Sequence, residues 1–191
     1  MSCIKPFVNR RKHPDLIRLN ANMLCEMMEE KTGNLILIDC RYSFEFNGGH
    51  IKDAINLYTE DMIRDFFNDM VISQKEVDIV FHCEFSGERG PKMMRLFRQL
   101  DREYNFDMYP KLLFPKLFLL DGGYYEFFKF RSSFCNPPSY VPMYSSEHVT
   151  ELKISRSNKM SKKFIKSDIK TFSPIKLFGT ILLFIEQYFV V

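Results

Sequence analysis

The stretch Val77 to Arg102, VDIVFHCEFSGERGPKMMRLFRQLDR, holds the residues whose types and spacing point to chemistry. Cys83 and Arg89 stand with five residues between them. A loop wrapped before a helix N-terminus turns its backbone N–H groups inward and makes a nest for an anion. The same field favours thiolate over thiol at a cysteine placed in it. Arg89 adds a planar fork able to hold two oxygens of one phosphate. Glu84, Phe85, Ser86, Gly87, Glu88 and Arg89 would thus cradle a phosphate dianion, with the sulfur of Cys83 aimed at phosphorus. The implied reaction is transfer of the phosphoryl group to Cys83, followed by hydrolysis of the phosphocysteine. Arg89 and the loop amides would hold the charge on the equatorial oxygens. It calls for no metal and no cofactor. The blander reading is a strand-end cysteine beside a surface arginine by chance.

That loop needs a strand to deliver it and a helix to follow it. Val77-Asp78-Ile79-Val80-Phe81 is a mainly apolar run, and so are Leu35-Ile36-Leu37-Ile38 and Leu117-Phe118-Leu119-Leu120. Such runs between turn signals predict strands covered on both faces. Helical spacing appears over Asn22 to Thr32, stopped by Gly33, over Glu60 to Met70, and again after Pro91. Pro91 suits a helix start, and Met93, Leu96, Phe97, Leu100 and Tyr104 form one core-facing stripe. Strands alternating with helices predict an α/β fold whose central, mostly parallel sheet is flanked by helices. Ligands bind beyond the carboxyl ends of strands in such sheets, where the Cys83 loop falls.

The 191 residues fit one domain with modest extensions, and 46% hydrophobic content argues against a wholly disordered chain. A formal net charge of +3 does not point to nucleic acid as a partner. No secretory signal is read at the start, and the five scattered cysteines include no C-x-x-C pair. A disulfide framework and a structural zinc site are therefore not expected, and a reduced compartment, nucleus and cytoplasm, is. Residues 1–14 read as a basic leader (Arg10-Arg11-Lys12-His13), with nuclear import as the sharper alternative. Residues 15–145 read as the catalytic domain and 146–191 as an extension. The extension is basic from Leu152 to Lys176 and apolar from Leu177 to Val191. A span needs about 20 apolar residues and Glu186 interrupts this shorter run, so membrane insertion is not expected. Packing on the domain or on a second copy is preferred, and the oligomeric state stays open.

The segment His82-Cys83-Glu84-Phe85-Ser86-Gly87-Glu88-Arg89-Gly90-Pro91 resembles the active-site loop of the M-phase inducer phosphatases, dual-specificity enzymes of the cell-division cycle. The resemblance continues in Asp39-Cys40-Arg41-Tyr42, Gly48-Gly49-His50-Ile51-Lys52, Asp121-Gly122-Gly123-Tyr124, Glu126-Phe127-Phe128 and Phe134-Cys135, covering roughly residues 15–145. It implies a rhodanese-like fold with a five-stranded sheet. It also implies removal of inhibitory phosphates from phosphotyrosine and phosphothreonine of a cyclin-dependent kinase, in complex with its cyclin, at entry into mitosis.

Other residues are weighed beside this. LILID before Cys40 and DIVFH before Cys83 are alike, and neighbouring parallel strands would bring their ends about 4.8 Å apart. Oxidised Cys83 could then be trapped by Cys40, and the family carries a partner cysteine at the matching place. This redox role is preferred over a plain core thiol. With no Trp-containing acid loop, Glu88 or Glu84 could protonate the leaving group, as could water or the substrate. Arg95, Arg98 and Arg102 form a basic stripe, which is commonly just a solvated face. By resemblance, Arg98, Arg102 and Tyr109 match positions that dock the kinase–cyclin substrate. His50 is given a buried hydrogen bond and His82 a supporting place under the loop, its tautomer fixed by backbone groups.

Two rivals remain: an arsenate reductase on the same fold, and a non-catalytic phosphoprotein-binding module. A sulfurtransferase is disfavoured, since those rhodanese-like loops are usually one residue shorter. The resemblance does not take in the long N-terminal regulatory region of many family members, and no counterpart is placed for the apolar C-terminus.

Overall fold

A computed structural model describes residues 13–30, 34–73 and 76–157. The basic cluster at 10–12, Gly33 and everything after residue 157, including the apolar stretch 177–191, lie outside the described residues. The chain divides into two compact units, one ending at Leu152 and the other beginning at Lys153. The described part of the second, residues 153–157, is helical.

The first unit runs β1 (Arg18–Leu19), α1 (Ala21–Glu29), β2 (Leu35–Asp39), α2 (Ser43–Asn47), β3 (His50–Ile51), β4 (Ile55–Asn56), α3 (Glu60–Ser73), β5 (Asp78–His82), α4 (Arg89–Tyr104), β6 (Leu117–Leu120), α5 (Gly123–Arg131) and β7 (Cys135–Asn136). Five strands form one sheet in the order β1-β6-β5-β2-β4, and every pairing in it is parallel. The three expected runs are its three central strands. β5 lies in the middle, so the strand that leads into Cys83 is enclosed on both edges. A separate antiparallel pair, β3 with β7, sets Ile51 opposite Cys135.

Alternation along the strands explains why the runs are apolar throughout. Ile38, Ile79, Phe81, Leu117 and Leu119 turn to one face and pack with Ile63 and Phe67 of α3 and Met93 and Phe97 of α4. Leu37, Val80 and Leu120 turn to the other, against Leu24 and Met27 of α1 and Tyr124 and Phe127 of α5. Each such side chain contributes roughly 1.5–3 kcal/mol when taken out of water. α1 starts where Asn20 caps it, its side-chain oxygen accepting from the Met23 N–H at 2.9 Å. No helix among the described residues is long and apolar enough to cross a membrane.

Two local expectations shift. α4 begins at Arg89, so Pro91 sits inside its first turn, where a missing N–H still breaks no helical bond. Tyr104, the last residue of α4, meets Phe67 edge-on at 6.3 Å and remains 60% exposed instead of completing the core stripe.

Candidate active site

Cys83 and Glu84–Glu88 form a tight bend between the central strand and α4. The carbonyl of Cys83 accepts from the Tyr124 N–H and that of Glu84 from the Tyr125 N–H, both at 2.9 Å. The first turn of α5 thus uses its unpaired N–H groups to hold two loop carbonyls outward. Across a trans peptide, N–H points opposite to C=O, so the N–H groups of Glu84 and Phe85 face the other way. None of the backbone N–H groups of residues 84–88 has an acceptor among the described residues. Ser86 adds a left-handed backbone (φ 50°) and a buried Oγ without a hydrogen-bond partner among the described residues. Strain and unpaired donors are concentrated in one loop, in an arrangement that could receive an anion. Cys83 is buried, its side chain on the α3–α4 side of the sheet.

Arg89 opens α4 and turns its guanidinium onto the buried Glu45 of α2. Its Nη1 donates to Oε2 of Glu45 and its Nη2 to Oε1 at 3.0 Å. Glu84 Oε2 lies 3.6 Å from Nη2, and the Tyr42 ring stands 5.1 Å from Cζ. Burial opposes the charged form of Arg89, but the hydrogen bonds and charge of Glu45 outweigh it, so the guanidinium stays cationic. At Glu45 burial wins and lifts the carboxyl above its usual range, while Arg89 and the Tyr42 N–H pull it back. Glu45, Tyr42 and Tyr140 were not singled out as site residues from the sequence.

The two loop carboxyls part company. Glu84 is buried, its Oε1 accepting from Tyr140 Oη at 2.5 Å and from the Met143 N–H at 3.4 Å. Its oxygens are committed to holding the loop, so the expectation of Glu84 as an available acid is replaced by an anchoring one. Glu88 is exposed at the N-cap of α4, with no side-chain capping bond.

Behind the loop, Asp39 and His82 are register partners at the ends of β2 and β5. Asp39 takes the Arg41 Nε at 3.0 Å and Nη2 at 2.7 Å, while Nη2 also reaches the Gly49 carbonyl at 2.7 Å. The Arg41 Cζ sits 3.8 Å over the Tyr124 ring. His82 lies beneath the loop as expected, but neither ring nitrogen finds a hydrogen-bond partner among the described residues. Its Nδ1 stands 3.8 Å from Asp39 Oδ1, and its ring stacks with that of Tyr124 at 6.4 Å between centroids. His50 makes its expected bond, Nδ1 to the Phe46 carbonyl at 3.0 Å, and is half-buried. Cys40 follows Asp39 as Cys83 follows His82, and its N–H donates to the His82 carbonyl at 2.8 Å. Both thiols are buried and free on the same face.

Arg102 and Tyr109 are exposed, but Arg98 is not free. It pairs with the buried Asp101 at 2.7 Å and donates to the Pro115 carbonyl at 3.1 Å. Arg98 and Arg102 line one groove of about 650 Å³ together with Arg95 and Phe106.

Residues 21–129 match the model of the rhodanese-like domain, and the chain belongs to that family. Within it, the chain is similar to the M-phase inducer phosphatases. It is 42% identical over 172 residues to human M-phase inducer phosphatase 1, covering 86% of this chain and 32% of that protein. Against human M-phase inducer phosphatase 3 the identity is 44% over 163 residues, covering 81% and 34%. The chain thus spans about a third of the length of these relatives. An As-Sb reductase from Leishmania major (TM-score 0.51, 24% identical, covering 61% of this chain and 79% of that one) shares the fold. So does a yeast protein tyrosine phosphatase of the rhodanese family (TM-score 0.51, 23% identical, covering 65% and 93%).

Proposed function

We propose that this chain is a cysteine-dependent protein phosphatase that removes phosphate from phosphotyrosine and phosphothreonine of a cyclin-dependent kinase bound to its cyclin. The observation that carries the reading is the loop from Cys83 to Arg89: a run of backbone N–H groups without acceptors among the described residues, between a buried thiol and a guanidinium. The likeness to the M-phase inducer phosphatases supports the substrate class.

The phosphate seats on the N–H groups of residues 84–88, with the Ser86 hydroxyl as a further donor, and Arg89 grips two of its oxygens. Glu45 fixes the plane of that guanidinium from behind. The Cys83 sulfur attacks phosphorus as the ester oxygen leaves with a proton, giving phosphocysteine and the free hydroxyl side chain. Water then attacks phosphorus, phosphate departs, and the cysteine is restored. Charge that builds on the equatorial oxygens meets donors already in place, which lowers the barrier without reorganisation. The exposed Glu88 is the loop carboxyl free to give the leaving group its proton. Arg102 and Tyr109, outside the loop, supply docking to the folded substrate.

The test compares a simple aryl phosphate with a doubly phosphorylated kinase–cyclin complex. Wild type hydrolyses both, and Cys83→Ser neither. Arg102→Glu slows the complex by about tenfold or more and spares the aryl phosphate; Arg102 is a cleaner probe than Arg98, which is tied to Asp101. Turnover by Cys83→Ser would refute the mechanism, and equal losses on both substrates would refute the docking assignment.

A further inference from the structure

Three peptide planes of the loop are pinned by hydrogen bonds to their carbonyls, and the third pin comes from an unexpected place. Tyr124 and Tyr125 of α5 hold the Cys83 and Glu84 carbonyls. The Gly87 carbonyl is held by the ring of His13, whose Nε2 lies 2.8 Å away, from 74 residues upstream. The same ring sets its Nδ1 3.0 Å from the Nη2 of Arg95. Arg95 is in turn fixed on α4 by a two-pronged pair with Asp15, Nε to Oδ2 at 2.9 Å and Nη2 to Oδ1 at 2.7 Å.

The chemistry of the partners fixes the tautomer. A carbonyl only accepts, so Nε2 must carry the hydrogen; a guanidinium only donates, so Nδ1 must bear the lone pair. Both requirements select the same neutral imidazole. The Gly87 carbonyl and the Glu88 N–H share one peptide plane and point in opposite directions. Holding that carbonyl outward therefore turns the Glu88 N–H inward, beside the start of α4 and next to Arg89.

We propose that His13 is a positioning residue for the anion cradle: through the Gly87 carbonyl it sets the last inward N–H of the loop, with Asp15 and Arg95 locking its tautomer. This rests on the phosphatase reading of the same loop and adds to it a strap from the chain that precedes β1.

The probe is inorganic tungstate, a phosphate mimic that reports the cradle without turnover, titrated by calorimetry into wild type, His13→Asn and His13→Gln. Gln places an N–H where Nε2 was; Asn is one methylene too short to reach Gly87. One lost hydrogen bond corresponds to about a fivefold weakening. His13→Asn should bind tungstate about fivefold more weakly and lower kcat on an aryl phosphate by a similar factor, and His13→Gln should restore most of both. A purely structural role would move Tm and leave the affinity of the folded protein unchanged. Equal tungstate affinities in all three proteins, or no recovery with Gln, would overturn the proposal. If wild type binds tungstate and His13→Asn binds it more weakly, but wild type hydrolyses no phosphoester, the strap stands and the phosphatase reading falls.

Discussion

Cys40 shows what burial does to one thiol. Its place at the end of β2 removes it from water, which pushes the thiol well above its ordinary range, and the nearby Cys83 adds to the shift. A protonated, enclosed sulfur is a poor nucleophile towards phosphate, and what Cys40 offers an oxidised neighbour is its place beside Cys83 on the same face of the sheet. We propose that peroxide oxidises the Cys83 sulfur to a sulfenic acid, from which the Cys40 sulfur displaces hydroxide, giving a disulfide and water. Wild type exposed to mild peroxide should lose activity and regain it with a thiol reductant, whereas Cys40→Ser should stay inactive as Cys83 passes on to the sulfinic acid. Full recovery of Cys40→Ser after the same exposure would remove Cys40 from the role. This pair was legible in the sequence because two similar apolar runs each end in an acid or histidine and then cysteine. Glu45 was not legible. It lies 44 residues from Arg89 on a five-residue helix, and SFEFN has the look of an ordinary surface turn.

Among the elements, long apolar runs announced the central strands, since a strand covered on both faces has no polar side to show. Two-residue strands such as β1, β3, β4 and β7 carry too few side chains for any period to show in the sequence. The role of α5 was equally hidden, because a helix start has no sequence mark for what its N–H groups will meet. Gly123 makes that meeting possible: its φ is +63°, and an added Cβ would lie 2.5 Å from the Cys83 carbonyl and 2.7 Å from that of Glu84. Gly122 has φ +70°, yet an added Cβ there meets the Glu126 side chain instead. Both alanine variants carry left-handed strain of about 1–2 kcal/mol. Only Gly123→Ala pushes the anion loop, so it should lower kcat/KM on an aryl phosphate by about 100-fold, the scale of a 1 Å misplacement. Gly122→Ala should lower Tm while kcat/KM changes little. Similar kinetic losses in both would mean that α5 does not set the loop.

For the whole molecule, one buried cluster joins the sheet to the layers around it. Asp39 of β2 and His82 of β5 meet Arg41, which reaches the Gly49 carbonyl before β3 and the Tyr124 ring of α5. Its two titratable groups make stability depend on pH in a stated direction. Burial lowers the His82 pKa from 6.5 and outweighs the pull of Asp39. The unfolded chain therefore takes up a proton near pH 6.5 that the folded chain refuses, and stability falls as pH drops below that value. Burial would raise Asp39, but His82 and Arg41 outweigh it and hold the carboxyl below its usual 3.8. That contribution is complete above 3.8 and is lost as pH falls through the lower folded value. Thermal unfolding followed from pH 7.5 to 3 should show Tm falling in two windows, at about 2–4 °C per kcal/mol for a domain of this size. His82→Leu, which cannot titrate, lowers Tm overall yet should flatten the window between pH 7 and 5 and also shrink the acid one, because Asp39 loses the largest charge that holds it down. If the slope between pH 7 and 5 survives in His82→Leu, some other group controls it and the cluster is not the pH-sensitive link of the fold.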